Sequence, residues 1–182
     1  FIEALRFINI EKKTRILDIG INRGDEFGLI SSVLGQTALS EHQFVGFDHC
    51  STAIEQARNR YSHPSFTFIE GDLRRLSEYD LGVFDLLISI NTLHSSAFDG
   101  HRLFQQLVQS HVKDHGAVII GLPNSCYVDH KLLYGARMKN FHTPDLSVLW
   151  KKVAFYRRYL HQHGYQVRLL GKHNILIAGR KR

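Results

Sequence analysis

Short apolar runs alternate with segments of helical periodicity along most of the chain. The runs predict seven strands, at 14–19, 43–48, 65–70, 83–91, 116–122, 165–170 and 174–179. Between them, apolar residues recur every three or four positions, which predicts helices at 1–10, 26–34, 51–60, 98–112 and 146–163. Because strands and helices alternate, we expect an α/β fold with a parallel sheet and helices on both faces.

The last two strands are separated by only three residues, 171–173, so we expect them to form an antiparallel hairpin. The pattern contains no repeat or linker, which predicts a single domain over 1–182. One stretch, 123–143, lacks periodicity and joins the fifth strand to the long helix. Long connections of this kind are usually functional, so we interpret 123–143 as a substrate-side loop or lid.

Composition narrows the class of protein. The 182 residues are 43% hydrophobic and 22% charged, which is typical of a soluble globular protein. No apolar run reaches the roughly 18 residues that a membrane span needs, and no signal peptide is visible. The two cysteines, Cys50 and Cys126, form no C-x-x-C pair, so we expect reduced thiols and a cytoplasmic location.

A glycine-containing turn follows the first strand. Gly20 and Gly24 allow a ligand to approach the backbone, and the next helix directs its N-terminus at the same point. Asn22 tolerates a left-handed backbone better than other non-glycine residues. The turn matches neither the G-x-G-x-x-G dinucleotide fingerprint nor a P-loop. Neither H-E-x-x-H nor paired cysteines occur, so we predict no catalytic metal.

Each of the first three strands ends in or just before an acid: Asp18, Asp48 and Asp72. The carboxyl ends of parallel strands form the edge where ligands bind in open α/β sheets. A carboxylate after the second strand can accept hydrogen bonds from both hydroxyls of a ribose, and one after the third can accept from an exocyclic adenine amine. This order predicts a ligand with ribose and adenine.

The segments ILDIGINRG, FVGFD, FIEGDL and FDLLISINTLH, taken in order, resemble the motifs of the class I S-adenosylmethionine-dependent methyltransferases. The resemblance covers nearly all of the chain. It implies a Rossmann-like seven-stranded methyltransferase sheet, with five parallel strands and a closing antiparallel hairpin. It also implies an enzyme with S-adenosyl-L-methionine as cofactor.

The resemblance also implies roles for single residues. Asp48 would hold the ribose, and Asp72 with the Leu73 backbone would contact adenine. Asn91 would lie near the sulfonium. The methionine part of the cofactor would be lined by Asp18, Gly20, Asn22 and Gly24, where Asn22 replaces a glycine common in the family. Thr92, Leu93 and His94 would face the substrate.

Methyl transfer requires alignment of the reactants, and it requires a base only if the acceptor must lose a proton. His94, just after the fourth strand, is the candidate base; its alternative is a loop or packing histidine. The 123–143 loop is rich in polar and aromatic groups, from which we select the substrate candidates Asn124, Tyr127, Tyr134 and Arg137. The alternative is a surface lid whose polar groups face water.

The sequence leaves several hypotheses about the methyl acceptor and the function open. The segment after the fourth strand lacks the Asn/Asp-Pro-Pro-aromatic and Pro-Cys motifs of nucleic-acid base methyltransferases, which favours O- or N-methylation of a small molecule. Charge favours a second hypothesis, an RNA-modifying enzyme. Residues 1–130 carry 11 basic and 16 acidic side chains, whereas 131–182 carry 12 basic and one acidic. A third hypothesis is a catalytically weak, cofactor-binding interaction module.

The long helix interleaves Lys151, Lys152, Arg157 and Arg158 with aromatic residues. Basic and aromatic groups together can bind RNA by charge and stacking. The aromatic spacing also fits a stripe that packs on the core, which is the interpretation we favour.

Overall fold

A seven-stranded sheet forms the centre of the protein in the computed structural model, which describes residues 1–124, 127–128, 131–132, 147–171 and 173–181. Within these residues, the α-helices are α1 (Ile2–Phe7), α2 (Asp25–Leu34), α3 (Ser51–Arg60), α4 (Gly100–His111) and α5 (Ser147–Gln162). The strands of the sheet are β1 (Arg15–Ile19), β2 (Gln43–Asp48), β3 (Phe66–Glu70), β4 (Phe84–Ile90), β5 (Val112–Pro123), β8 (Tyr165–Leu170) and β9 (Asn174–Lys181). A small hairpin contains β6 (Tyr127–Val128) and β7 (Lys131–Leu132), and short 3₁₀ helices span Ile10–Lys12, Gln36–Glu41 and Leu73–Glu78.

The strand order is β3-β2-β1-β4-β5-β9-β8, with β1 to β5 mutually parallel. β9 runs antiparallel to both β5 and β8, so the closing hairpin is present and the predicted fold class is confirmed. The reversed strand lies one position inside the edge. This order matches the sequence, since Ile175–Gly179 is an unbroken buried run whereas β8 carries exposed residues.

Helices cover both faces of the sheet. On one face α4 and α5 bury Phe104 and Tyr156 against Phe47 and Phe84. On the other face α1, α2 and α3 bury a second cluster around Phe27 and Phe44, which are 5.2 Å apart between ring centroids. The two apolar layers hold the strand ends, and the loops that follow them, in fixed positions.

Element boundaries differ from the predictions where polar groups decide them. β5 begins at Val112 and not at 116, because Val112 pairs with Phe84 of β4, and an irregularity in the register carries the strand through the exposed residues 113–115 to Ala117. α4 begins at Gly100, since the Asp99 side chain accepts hydrogen bonds from the amides of His101 and Arg102 at 3.0 and 3.2 Å.

The stretch 123–143 was predicted to be irregular, and its described part contains the hairpin β6–β7. Tyr127 lies on β6, whereas Tyr134 and Arg137 lie outside the described residues. In α5, Val153, Tyr156, Tyr159 and Leu160 are buried, which confirms the core interpretation of this helix. No helix in the part of the chain that the structure describes is long and apolar enough to cross a membrane.

Candidate functional site

A cavity of about 1040 Å³ opens at the carboxyl ends of β1, β2, β3 and β4. Four loops meet around it: the turn after β1, the residues after β2, those after β3 and the segment after β4. Of the residues predicted for the site, the cavity is lined by Gly20, Asn22, Asp48, Asp72, Leu73, Asn91 and Thr92. The topology therefore brings most of the predicted cofactor residues to one place.

The turn after β1 has three left-handed residues, Gly20 (φ +79°), Asn22 (φ +50°) and Gly24 (φ +81°). The amides of Gly20 and Ile21 donate to the Phe47 carbonyl at 2.7 and 3.2 Å, which joins the turn to β2. A Cβ at Gly20 would lie 2.0 Å from Thr92 Oγ1. The absence of a side chain at Gly20 therefore allows the turn to pack against the segment after β4.

Gly24, predicted from the family resemblance to line the methionine part of the cofactor, packs against Tyr61 in the structure. It lies behind the cavity wall, where a Cβ would meet the Tyr61 ring at 2.6 Å, and the Tyr61 hydroxyl donates to the Gly24 carbonyl. Gly24 is also the residue before α2. Its contacts therefore hold the start of α2 against Tyr61, and Gly24 is not among the residues that line the cavity.

Asp48 joins two loops of the site. Its carboxylate is 8% exposed and accepts hydrogen bonds from the Asn22 amide at 2.9 Å and the Cys50 amide at 3.0 Å. Because each carboxylate oxygen has two lone pairs, both oxygens keep acceptor capacity on the cavity side. This arrangement can orient two neighbouring hydroxyl groups.

Two carboxyl groups, those of Asp18 and Glu26, lie beneath the turn. Burial and the nearby carboxylates of Glu26 and Asp48 raise the pKa of Asp18, and burial raises the pKa of Glu26. Asp18 is 1% exposed, and its Oδ2 accepts no hydrogen bond from the described residues. Glu26 lines the cavity and Asp18 lies behind it. An arriving cation would relieve the mutual repulsion of these acids.

The environment of Asp72 lowers its pKa, whereas that of Asp18 raises it. Its carboxylate accepts hydrogen bonds from the Arg74 amide at 2.9 Å and from the Arg74 guanidinium at 2.6 to 3.0 Å, and this partner lowers the pKa of Asp72 to about 2. Both residues line the cavity. An adenine amine at Asp72 would therefore share the carboxylate with Arg74.

Some residues of the segment after β4 line the cavity, and others are buried in the core. Asn91 has a left-handed backbone (φ +56°) and lines the cavity with Thr92, whose hydroxyl lies 3.2 Å from the Ile19 carbonyl. Leu93 is buried in the core at 1% exposure. His94 lies outside the cavity lining; burial and the charge of Lys152 lower its pKa to about 4.

Asn124 begins the predicted substrate loop, and its amide donates to the His173 carbonyl at 2.8 Å. This contact fixes the start of the loop against the β8–β9 turn. Asn124 is not one of the cavity-lining residues, and neither is Leu93. Their substrate roles therefore stay predictions.

Several cavity residues were not predicted from the sequence, among them His49, Cys50, Tyr79, Ser95 and Phe98. His49 and Cys50 directly follow Asp48, and that position was the signal available for them. A hydrogen bond to Thr52 lowers the pKa of the Cys50 thiol. Tyr79 packs edge-on against Phe47 at 5.0 Å, through a contact between residues 32 positions apart that no local pattern reveals.

A family model described as a methyltransferase domain matches residues 16–116, more than half of the chain. The chain belongs to the methyltransferase domain family. This finding confirms the predicted family. The matched residues span β1 to the start of β5 and include every residue of this chain that was predicted to bind the cofactor.

Solved structures share the fold at low sequence identity. The DszA carbon methyltransferase has a TM-score of 0.65 and 19% identity, over 97% of this chain and 51% of its own. An O-methyltransferase family protein from Burkholderia thailandensis has a TM-score of 0.63 and 13% identity, over 98% and 56%. The plantazolicin methyltransferase BpumL, solved with SAH and a substrate analog, has a TM-score of 0.66 and 13% identity, over 100% and 84%.

The chain thus spans about half the length of the first two of these structures. No match was found among the curated proteins with which the chain was compared. The similar structures include carbon and O-methyltransferases, so likeness of fold does not select the acceptor atom.

Proposed function

We propose that the chain binds S-adenosyl-L-methionine in the cavity and transfers its methyl group to an O or N atom of a small molecule. The observation that carries this proposal is Asp48, a carboxylate at the cavity wall held by the amides of Asn22 and Cys50. Its remaining acceptor sites suit the two hydroxyls of a ribose. The cytoplasmic location stays a prediction from composition.

The residues present fit the other parts of this cofactor. The buried Asp18 Oδ2 lacks a hydrogen-bond donor among the described residues, and the acids around it favour the cationic amino group of a methionine. The backbone of Gly20 lines the cavity, where it can contact the same part of the cofactor. Tyr79, Gly71 and Leu73 line the wall beside Asp72, where a planar base would pack.

S-adenosylmethionine supplies a methyl group that is already activated by its positive sulfur. The protein is left with alignment of the acceptor and exclusion of water. Asn91 and Thr92 form the cavity wall that we assign to the methyl group, because they follow the central strand β4. Leu93 fixes that wall to the core.

His94 is our candidate for a general base. With a pKa of about 4 it is neutral at pH 7, and its imidazole can therefore accept a proton. Such a low pKa makes it a weak base, which suits an acceptor that is itself readily deprotonated. Tyr127, Tyr134, Arg137 and Asn124 stay proposals for acceptor contacts.

The proposal is tested by calorimetric titration with S-adenosylhomocysteine. We expect Asp48→Ala to weaken binding about 100-fold, because it removes two hydrogen bonds to a charged group, each worth about 1.5 kcal/mol or more. Asp114→Ala is the matched control, since the Asp114 side chain is 99% exposed and distant from the cavity lining. Equal affinity of the Asp48 and Asp114 variants would refute the ribose assignment.

An RNA acceptor is a second candidate that one observation favours. Trp150, Lys151, Arg157 and Arg158 are exposed on α5 as two adjacent pairs that lie about two helical turns apart, and α5 contains no acid. This surface suits a polyanion. The third hypothesis, a weak interaction module, was based on Asn22. The left-handed φ of Asn22 is the conformation that the turn requires, so we do not pursue that hypothesis.

A further inference from the structure

Lys152 on α5 is a partly buried cation near the segment that follows β4. Burial lowers the pKa of its ammonium group. Among the ion pairs between described residues, none includes Lys152. Its neighbours on the helix, Lys151 and Arg157, are exposed, so Lys152 differs from the basic surface of α5. A lysine that loses part of its hydration without a carboxylate in exchange costs stability, which suggests a role in binding.

The neighbours of Lys152 on α5 show where its side chain lies. Phe155 and Tyr156 follow one turn later and therefore share its helix face. The Phe155 ring stacks on His101 of α4 with centroids 3.8 Å apart, and the Tyr156 hydroxyl lies 3.5 Å from the Leu93 carbonyl. Burial lowers the pKa of both His94 and His101, and the nearby charge of Lys152 lowers both pKa values further.

Among the described residues, the charged groups that act on this cluster are Lys152 and one acid, Asp99. Asp99 raises the pKa of His101, but its carboxylate already caps α4 by accepting from the amides of His101 and Arg102. The His101 Nε2 atom is buried and has no hydrogen-bond partner within the described ranges. The cluster therefore offers an ammonium group and an imidazole nitrogen, both of which can donate to an anion.

The cluster adjoins the wall that we assign to the methyl group. Asn91, Thr92 and Ser95 line the cavity, whereas His94 lies on the α5 side of the same segment. We propose that Lys152, His94 and His101 form a subsite for a carboxylate or phosphate group on the methyl acceptor. This inference rests on the proposed function, since it names the class of acceptor for the same site: a small anionic molecule.

Binding at this subsite has a measurable consequence. An anion paired with Lys152 cancels the charge that disfavours protonation of the two histidines, so both imidazole pKa values rise. The rise also makes His94 a stronger base when an acceptor is present, which would couple acceptor binding to proton removal.

The test uses the full chain saturated with S-adenosylhomocysteine and labelled at histidine for NMR. Acetate is titrated in one arm and inorganic phosphate in the other, and the ring signals and pKa values of His94 and His101 are followed. We expect saturable shifts and raised pKa values in at least one arm, which identifies the carboxylate or the phosphate. Lys152→Met should weaken the effect about tenfold, as expected for loss of a charge-assisted hydrogen bond.

Lys151→Met is the matched control, because it removes the same charge one residue away on the exposed face. It should leave the response intact, and Lys152→Arg should restore most of it. Identical responses in the Lys152→Met and Lys151→Met variants, or no response in the wild type, would overturn the subsite. Calorimetry with S-adenosylhomocysteine separates the two proposals: a subsite failure leaves its binding unchanged, whereas failure of the proposed function abolishes it in the wild type.

Discussion

At the scale of single residues, the three acids at the strand ends differ in environment. Asp72 is paired with Arg74, and its pKa falls to about 2. Asp18 is buried beside Glu26 and Asp48, and its pKa is raised. Asp48 is satisfied in part by two backbone amides. Each acid therefore suits a different part of a ligand: an amine shared with arginine, a cation, or a pair of hydroxyls.

His94 provides a prediction on the pH dependence of stability. Its pKa is about 4 in the folded protein, compared with about 6.5 for an unfolded chain. Between these values the unfolded chain binds a proton that the folded protein does not, so His94 lowers stability as the pH falls from 6.5 towards 4. Asp18 and Glu26, whose pKa values are raised, act in the opposite direction.

Because these contributions oppose each other, the effect of His94 on stability must be measured by comparing variants with the wild type. From urea unfolding at pH 7 and pH 5, we expect His94→Gln to lose less stability on acidification than the wild type. His161→Gln, at an exposed position of α5, serves as control and should behave as the wild type. The same loss in His94→Gln as in the wild type would contradict a partly buried His94 that is neutral in the folded protein.

At the scale of elements, the site depends on close contact between two connections. The β1–α2 turn and the segment after β4 meet where Gly20 faces Thr92, and the Thr92 hydroxyl lies within 3.2 Å of the Ile19 and Ile90 carbonyls. β1 and β4 are neighbours in the sheet, with Asp18 paired to Ile88. The sheet thus brings the two loops together, and the missing side chain at residue 20 lets them touch.

Gly20→Ala should therefore weaken S-adenosylhomocysteine binding and lower stability, because it adds a steric clash to a left-handed φ. Gly164→Ala is the control: φ is +82° there, but nothing lies within 4 Å of a Cβ, so only backbone strain of about 1 kcal/mol is expected. Adding Thr92→Ala should recover part of the stability lost in Gly20→Ala, as measured by denaturant unfolding. Equal stabilities of the two glycine variants would show that the Thr92 contact is unimportant.

The sequence was sufficient for most elements because their patterns are local. β2, α3 and β8 have the predicted boundaries, since each contains its own periodicity and ends at a turn. The start of β5 was missed because it is set by the pairing of Val112 with Phe84 across a register irregularity, and the exposed polar residues 113–115 give no apolar pattern. The hairpin β6–β7 was missed because four residues form too short a pattern to detect.

The prediction of site residues was likewise limited to residues that a local sequence pattern identifies. Motif residues at strand ends reached the cavity because sheet topology collects them there. Gly24 does not line the cavity, because it contacts Tyr61, which lies 37 residues later in the chain. The pairing of Asp72 with Arg74 was also unpredicted, although only two residues separate them, since the rotamer of an arginine is not encoded in a motif.

At the scale of the whole molecule, charge separates the two candidate acceptors. The cavity wall carries five acids, Asp25, Glu26, Asp48, Glu70 and Asp72, and one arginine, Arg74. The charged residues on the exposed side of α5 are all basic. A polyanion would therefore be repelled from the cofactor side and attracted to α5. An RNA acceptor must bind along this helix, whereas a small anion requires only the subsite at Lys152.

RNA binding can be tested with variants that leave the Lys152 subsite unchanged. If RNA is the acceptor, Arg157→Glu with Arg158→Glu should weaken binding of single-stranded RNA and reduce the salt dependence of its affinity by roughly one to two logarithmic units of slope. Arg6→Glu with Lys12→Glu makes the same change in net charge at exposed positions of the α1 region and should have little effect. Both variants should bind S-adenosylhomocysteine as the wild type does.

Equal losses of RNA affinity in the two double variants would mean that RNA responds to net charge alone. Affinity that is independent of salt in the wild type would also argue against RNA, because phosphate contacts release counterions, and the small-molecule acceptor would then be the hypothesis to retain.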